Sequence, residues 1–357
     1  MTPKDQLLIH ASNITGFGAR YVVQSLLNAL AGITDLKETV VCISSGSGLD
    51  CGVLEKAGAR VERQRRLLPN AISRAWECLV VHREYQGFQR TLVLGDIPLR
   101  GARGQVVFVH QHHLVSPLVN RFCSQSVKFK VMRRVFRRNL PFVKTMVVQT
   151  GAMREQMIAS YPELQNRVTV ISQPVPAGLQ PRNNVRRSRS IEGLNLFYPA
   201  AGYTHKNHAL LKQMDATREA SLRAEMIVTL SEAEQEALRL PQSWVRNVGR
   251  LDYVACMAAY QETDALFFPS LLESYGLPLV EAMTLGLPVV CSDLAYAHWL
   301  CEDQAIYFDP LSASSAWSAI HELQRRLADG WRPDWRKAMD KIPKDWNEVA
   351  QQFLAVL

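Results

Sequence analysis

The sequence predicts an α/β fold built as two units, each a parallel sheet covered by helices. Three observations carry this expectation. Short β-branched runs alternate with helical patterns along the chain, a polar basic stretch (PRNNVRRSRSIEG, 181–193) interrupts the alternation, and the charge balance reverses across it. Residues 1–190 hold 27 Lys and Arg against 11 Asp and Glu, a balance of +16, whereas the remainder holds 14 against 22, or −8. A length of 357 residues also favours two cores over one.

The first unit opens on LLIHAS (7–12), then a glycine-containing turn, NITGFG (13–18). A helical pattern follows in ARYVVQSLLNALAG, with Val22, Val23, Leu26, Leu27 and Leu30 on one face and Gly32 as the stop. TVVCIS (39–44), TLVLGD (91–96), QVVFVH (105–110), TMVVQT (145–150) and RVTVIS (167–172) read as further buried strands. Beyond 181–193, read as a linker, the alternation restarts. LNLFYPA, EMIVTLS, ALFFPS and LPVVCS are strand-like; HKNHALLKQM, EAEQEALRL and GLPLVEAMTLG are helical. The final KDWNEVAQQFLAVL is amphipathic, with Trp346, Val349, Ala350, Phe353 and Leu354 to bury.

Composition narrows the class. Hydrophobic content of 47% with 21% charged residues is that of a folded soluble protein. No apolar run reaches the roughly 18 residues of a membrane span, and MTPKDQLLIHASNITG lacks the apolar core of a secretory signal, so a cytoplasmic location is expected. Seven scattered cysteines without a C-x-x-C pair support neither a disulfide framework nor a zinc site.

Ligands of open α/β sheets sit beyond the carboxyl ends of the strands, so residues that follow strands are the candidates. After ALFFPS comes Glu273, then Gly276, where the backbone can approach a ligand closely. Leu277 and Pro278 begin a helix whose free amides suit a phosphate, with Pro tolerated at the first position. Glu281, one turn in, suits a sugar diol such as that of a ribose. Against this stands the plain reading of two capping or surface glutamates.

The stretch FFPSLLESYGLPLVEAMTLGLPVVCSD (267–293) closely resembles the signature of family 4 glycosyltransferases of the GT-B fold. VGRLDYVACMAAYQETDALFFPS, upstream, and YPAAGYTHKNHALL are similar to neighbouring segments of that family, so residues 195–310 are well covered and the first half loosely. The resemblance implies two Rossmann-like domains facing across a cleft. An acceptor-binding domain is expected over 1–185, a donor-binding domain over 190–340, and a C-terminal helix over 341–357 crossing back to the first. It implies that Glu281 binds the ribose of a nucleotide sugar, Glu273 the donor sugar, and the Gly276 and Leu277 amides sugar or phosphate oxygens. Lys206 would neutralise the diphosphate; a cation at a helix start opposes the dipole, and such a placement points to use.

One departure stands out. The family commonly has an Arg five or six residues before this Lys, where the chain has Ala201 and Ala200. Either Arg250 or a residue of the other domain would then supply the second cation, or catalysis would be weaker. In the first unit, GFGARY is an incomplete dinucleotide fingerprint, since Tyr21 replaces the third glycine after Gly16 and Gly18. It looks more like the family's glycine loop beside the donor phosphates. His110, Gln111, His112 and His113 follow VVFV. Three histidines would suit a metal, but no acidic cluster accompanies them, and the resemblance points to His110 or His112 touching the sugar, with His110 preferred.

The segment 126–144 interleaves Lys128, Lys130, Arg133, Arg134, Arg137 and Arg138 with Val131, Met132, Val135, Phe136 and Leu140. At about 100° per residue the cations gather mostly on one side, a basic amphipathic helix suited to an anionic membrane surface. RVERQRRLLPN (60–70) is a second basic patch. No aromatic platform accompanies this charge, so nucleic acid is not an expected partner.

The expected function is therefore a retaining, metal-independent glycosyltransferase without cofactor. It would move a hexose, mannose as the specific expectation, from a nucleoside-diphosphate sugar to a lipid-linked or polysaccharide acceptor at the inner membrane face. The alternatives are a non-catalytic nucleotide-binding partner of the same fold, supported by Ala200 and Ala201, and an NAD-dependent oxidoreductase resting on GFG.

Overall fold

The computed structural model describes residues 6–12, 14, 17–64, 76–80, 83–116, 121–124, 126–176, 178–179, 193–217 and 223–357. The chain forms two compact units, residues 1–174 with 343–357 and residues 175–342. Most of the expected linker, 181–192, and Gly16 lie outside the described residues.

The first unit holds a seven-stranded sheet: β1 (Leu7–Ala11), β2 (Thr39–Ser44), β3 (Arg60–Gln64), β4 (Arg90–Val93), β5 (Gln105–Phe108), β6 (Val143–Val148) and β7 (Val168–Val170). Its order is β3-β2-β1-β4-β5-β6-β7, all parallel, with Leu7 opposite both Thr39 and Arg90. Strands such as LLIHA and QVVF are buried along their whole length, the expected cost-free place for β-branched runs covered on both faces. β3, read from sequence as part of a basic patch, is instead the edge strand; RVERQ alternates charge because water covers part of it. The remainder of that patch, 65–70, lies outside the described residues.

Val22, Val23, Leu26, Leu27 and Leu30 of the helix Phe17–Ile33 pack on one face of this sheet. The C-terminal helix Trp346–Val356 joins the same layer through Val349, Ala350 and Phe353, with the Phe353 ring 5.0 Å from Phe108. Lys144 Nζ donates to the Val356 and Leu357 carbonyls at 3.1 Å each, satisfying acceptors that a helix end leaves open. The other face is covered by Phe136, Leu140, Met153 and Met157.

The basic helix runs Val127–Asn139. Two of its six cations turn back onto the protein. Arg133 donates to the Ser124 and Phe129 carbonyls at 2.8 and 3.1 Å, and Arg137 leans on the Tyr161 ring and reaches the Ser160 carbonyl. Lys128, Lys130, Arg134 and Arg138 remain outward, beside Val127 and Val131, which are 77% and 54% exposed.

The second unit holds six parallel strands: β8 (Leu194–Tyr198), β9 (Ala224–Val228), β10 (Val245–Asn247), β11 (Ala265–Phe268), β12 (Val289–Ser292) and β13 (Ile306–Phe308). Their order is β10-β9-β8-β11-β12-β13. β13 was not legible in the sequence: three residues at a sheet edge are too short to show a period.

Candidate active site

In the second sheet β8 and β11 are neighbours, but the chain leaves them in opposite directions, to β9 and β10 on one side and to β12 and β13 on the other. Such a switch point opens a crevice beyond the strand ends. Lys206 arrives from the loop after β8 and Glu273 from the loop after β11. The Lys206 Nζ stands 2.5 Å from Glu273 Oε1, with the two side chains 17% and 11% exposed.

The loops are pinned together. Leu271 N donates to the His205 carbonyl at 2.8 Å, and Tyr198 Oη donates to the Lys206 carbonyl at 2.6 Å. Asn207, left-handed at φ 58°, donates through Nδ2 to the carbonyls of Pro269 and Pro310. This corrects the sequence reading of Lys206 as a helix-start residue. Thr204–Lys206 form a 3₁₀ turn, Asn207 breaks it in a conformation that Asn tolerates, and the helix begins at Ala209. Lys206 therefore does not stand against a helix dipole, and its placement rests on these loop hydrogen bonds. Burial, then the charge of Lys206, push the His208 imidazole down to about 4 and lower His205 as well, so both are neutral near pH 7.

Gly276 caps the helix Leu277–Thr284 at φ 96°, a left-handed position; a Cβ there would meet Leu279 Cδ1 at 3.2 Å and Leu300 Cδ1 at 3.4 Å. Pro278 takes the second helical position rather than the first, where its missing amide is equally harmless. Leu279, Val280, Ala282 and Met283 are buried, which fixes the rotation of the helix. Glu281, half-buried on it, accepts from Tyr260 Oη at 2.9 Å. Burial pushes its carboxyl up to about 7, against the lowering effect of that hydrogen bond.

Arg250 lies beside the turn where Ala200 and Ala201 stand. Its Nη2 meets Glu234 Oε1 at 3.1 Å, and the Gly202 amide donates to the same oxygen at 3.0 Å. Glu234 Oε2 accepts from the Ser231 amide and hydroxyl at 2.8 and 2.9 Å, closing a capping box. Partial burial opposes ionisation, but the Ser231 and Gly202 hydrogen bonds and the Arg250 charge outweigh it and hold the Glu234 carboxyl down at about 2.

In the first unit, His110 follows β5. Its amide and that of Gln111 donate to Asp96 Oδ1 at 2.6 and 2.8 Å, and Asp96 itself is left-handed at φ 69°. Gln149 Nε2 lies 3.2 Å from His110 Nδ1, so that with the amide donating the ring proton sits on Nε2. Burial lowers the His110 pKa and keeps the ring neutral, although Asp96 opposes this. His112 is turned inward: it is 6% exposed and its Nδ1 pairs with Ser116 Oγ at 2.8 Å. Gly18 is exposed in the first turn of the helix Phe17–Ile33. Among the described residues no group of three or more His, Cys, Asp or Glu is placed to hold a metal ion.

Residues 231–308, which contain Glu234, Arg250, Tyr260, Glu273, Gly276 and Glu281, match the model of the family described as glycosyl transferases group 1. The two parallel α/β sheets have the architecture of GT-B glycosyltransferases. Anabaena HepE, solved with UDP and glucose, has a TM-score of 0.61 at 15% identity, over 99% of this chain and 97% of that one. The glycosyltransferase WaaG gives 0.61 at 16% identity, over 98% and 95%. Curated relatives match over shorter stretches. The O-antigen chain mannosyltransferase B of Escherichia coli is 31% identical over 91 residues, 26% of this chain and 23% of that protein. The phosphatidyl-myo-inositol mannosyltransferase of Mycobacterium leprae is 32% identical over 117 residues, 31% of each. The matches thus span between about a quarter and a third of these two relatives.

Three residues of the site escaped sequence reasoning. Tyr260 lies 21 positions from Glu281, and no local spacing connects them. Asn207 and Asp96 reveal their roles only through left-handed backbone and partners distant in sequence. A fourth, Glu234, escaped although its signal was present, since Ser231-x-x-Glu234 before a helical run is a capping signature.

Proposed function

We propose that the chain is a glycosyltransferase that moves a hexose, mannose-type, from a nucleoside-diphosphate sugar to a hydroxyl of a lipid-linked or polysaccharide acceptor. The observation that carries the proposal is the meeting of Lys206 and Glu273 at the switch point of the second sheet, with Gly276 and Glu281 on the helix that follows. Glu281 takes the ribose hydroxyls, Glu273 the sugar hydroxyls, and the Gly276 and Leu277 amides contact sugar or phosphate oxygens. Lys206 stabilises the charge that develops on the departing diphosphate. Arg250, close to the turn 200–202, supplies a second positive charge once it loosens from Glu234.

Mannose is supported by the names of the curated relatives, and the nucleoside-diphosphate donor by the UDP bound to a structural neighbour. With Glu273 assigned to the sugar hydroxyls and not to covalent attack, the reading is retention of configuration by front-face attack, assisted by the leaving phosphate. Positive charge from Lys206 and from helix amides makes a metal unnecessary in this scheme. The outward cations Lys128, Lys130, Arg134 and Arg138, with Val127 and Val131, support docking on an anionic membrane where a lipid-linked acceptor is held. Of the two histidines, His110 belongs to sugar recognition in this scheme, since His112 is turned inward onto Ser116, and Gly16 and Gly18 belong to the phosphates.

The test is incubation of the purified chain with GDP-mannose, UDP-glucose and UDP-galactose, followed by detection of nucleoside diphosphate release. Slow hydrolysis or transfer with one donor is expected. Binding without any turnover would favour the non-catalytic reading that Ala200 and Ala201 allow.

A further inference from the structure

We infer that Tyr260 is a positioning residue for nucleotide binding: its hydroxyl fixes one oxygen of Glu281 so that the other faces the ligand. The inference rests on the donor-site reading of Glu281 given above. Tyr260 stands on the helix Tyr253–Glu262, where it is the one fully buried side chain, while Glu281 stands on the helix Leu277–Thr284. The Tyr260 Oη donates to Glu281 Oε2 at 2.9 Å and lies 3.4 Å from the Pro278 carbonyl. Its ring is held edge-on to Phe197 of β8, with centroids 4.9 Å apart.

A carboxylate binds a vicinal diol best when its plane is fixed before the ligand arrives, since ordering a free side chain offsets part of the gain. Glu281 has three rotatable bonds between its helix and its carboxyl group, the last of which sets the carboxylate plane. Tyr260, immobile in the core, removes that freedom. A buried phenol needs an acceptor, and the carboxylate supplies one, so each group satisfies the other. The titratable side chains that face Glu281 are Tyr260 and Cys256, both from the same helix, and neither is ionised at neutral pH: burial raises both pKa values. Removing the phenol leaves the carboxylate oxygen with one donor fewer, in a setting that already favours its neutral form.

Two measurements on the full chain test this. In the first, the Glu281 carboxyl carbon, isotope-labelled and assigned through Glu281→Gln, is titrated by NMR without ligand in wild type and Tyr260→Phe. A higher midpoint in Tyr260→Phe is expected; an unchanged midpoint overturns the inference. In the second, UDP and GDP binding is followed by calorimetry between pH 6 and pH 9. Tyr260→Phe should bind about tenfold more weakly at pH 7, the effect of losing a charge-assisted hydrogen bond, and should recover part of that loss at pH 9. In a Glu281→Gln background Tyr260→Phe should have no further effect on binding. An equal loss in that background would show a packing defect and overturn the inference. A shifted midpoint in a chain that binds neither nucleotide, nor ADP, would overturn both the donor-site reading and the ligand-positioning role, leaving a purely structural pair.

Discussion

Lys206 and Glu273, 67 positions apart, meet at 2.5 Å between the ends of two neighbouring strands. The pair is mostly shielded from water, so neither charge is easily left alone. Each partner holds the other in place for a ligand that would insert its own anion beside Lys206. Lys206→Ala should reduce turnover by at least about a hundredfold, the scale of losing a charge aimed at the transition state. It should also destabilise the second unit by about 1–3 kcal/mol, because Glu273 is left unpaired but retains some solvent. Donor-release assays and thermal unfolding read the two effects separately.

Glu281 gives a signature in stability. Its folded pKa of about 7 lies above the ordinary carboxylate value. A group raised on folding contributes stability below its unfolded pKa and loses it as pH rises through the folded one. The wild type should therefore lose stability between about pH 4.5 and pH 7 on account of this residue. Glu281→Gln should lack that slope and be more stable at pH 8, by on the order of 2 kcal/mol. Thermal unfolding across pH checks it, and a mutant with the wild-type slope would place the titration elsewhere.

Glu234 has the opposite sign. Its carboxyl is held at about 2, so its contribution is present above about pH 4.5 and disappears as pH falls through 2. Glu234→Gln should cost about 1–2 kcal/mol at neutral pH, chiefly through the hydrogen bonds of Ser231 and Gly202. The Arg250 contact adds little to that figure, since its side chain is 55% exposed. Chemical denaturation at pH 7 and at pH 2.5 should show the gap between mutant and wild type narrowing in acid.

The basic helix separates into two kinds of cation. Replacing Lys128, Lys130, Arg134 and Arg138 with Gln should reduce sedimentation with phosphatidylserine vesicles and leave unfolding unchanged. Replacing Arg133 should instead lower stability, because its guanidinium ties the helix to the Ser124 carbonyl. Undiminished sedimentation of the fourfold variant would make that face an ordinary solvated surface.

Most strands of both sheets were legible because buried parallel strands need continuous apolar runs, and LLIHA, TVVCIS, ALFF and VVCS are such runs, whereas the edge strands β3 and β13 are not. Glu273, Gly276 and Glu281 were legible because they share one short stretch around a helix start. Lys206 was singled out through the resemblance as a helix-start residue, a position it does not occupy. What escaped depends on tertiary closeness: Tyr260 reaches Glu281 across two helices, Arg250 is held by a capping glutamate, and His112 points into the core although its neighbour His110 does not share its partners. Alternation and spacing describe a single element and carry no information about which elements touch.

The C-terminal helix completes a layer begun by the first helix of the chain, with Phe353 set against Phe108. During synthesis the segment 343–357 emerges only after every residue of the second unit has been made. Until then the first sheet exposes the apolar strip that Val349, Ala350 and Phe353 will cover, while the second unit already has all its strands. The unit translated first is thus the one finished last, and the nascent chain carries a sticky, unfinished surface for the whole time that the ribosome spends on residues 175–342.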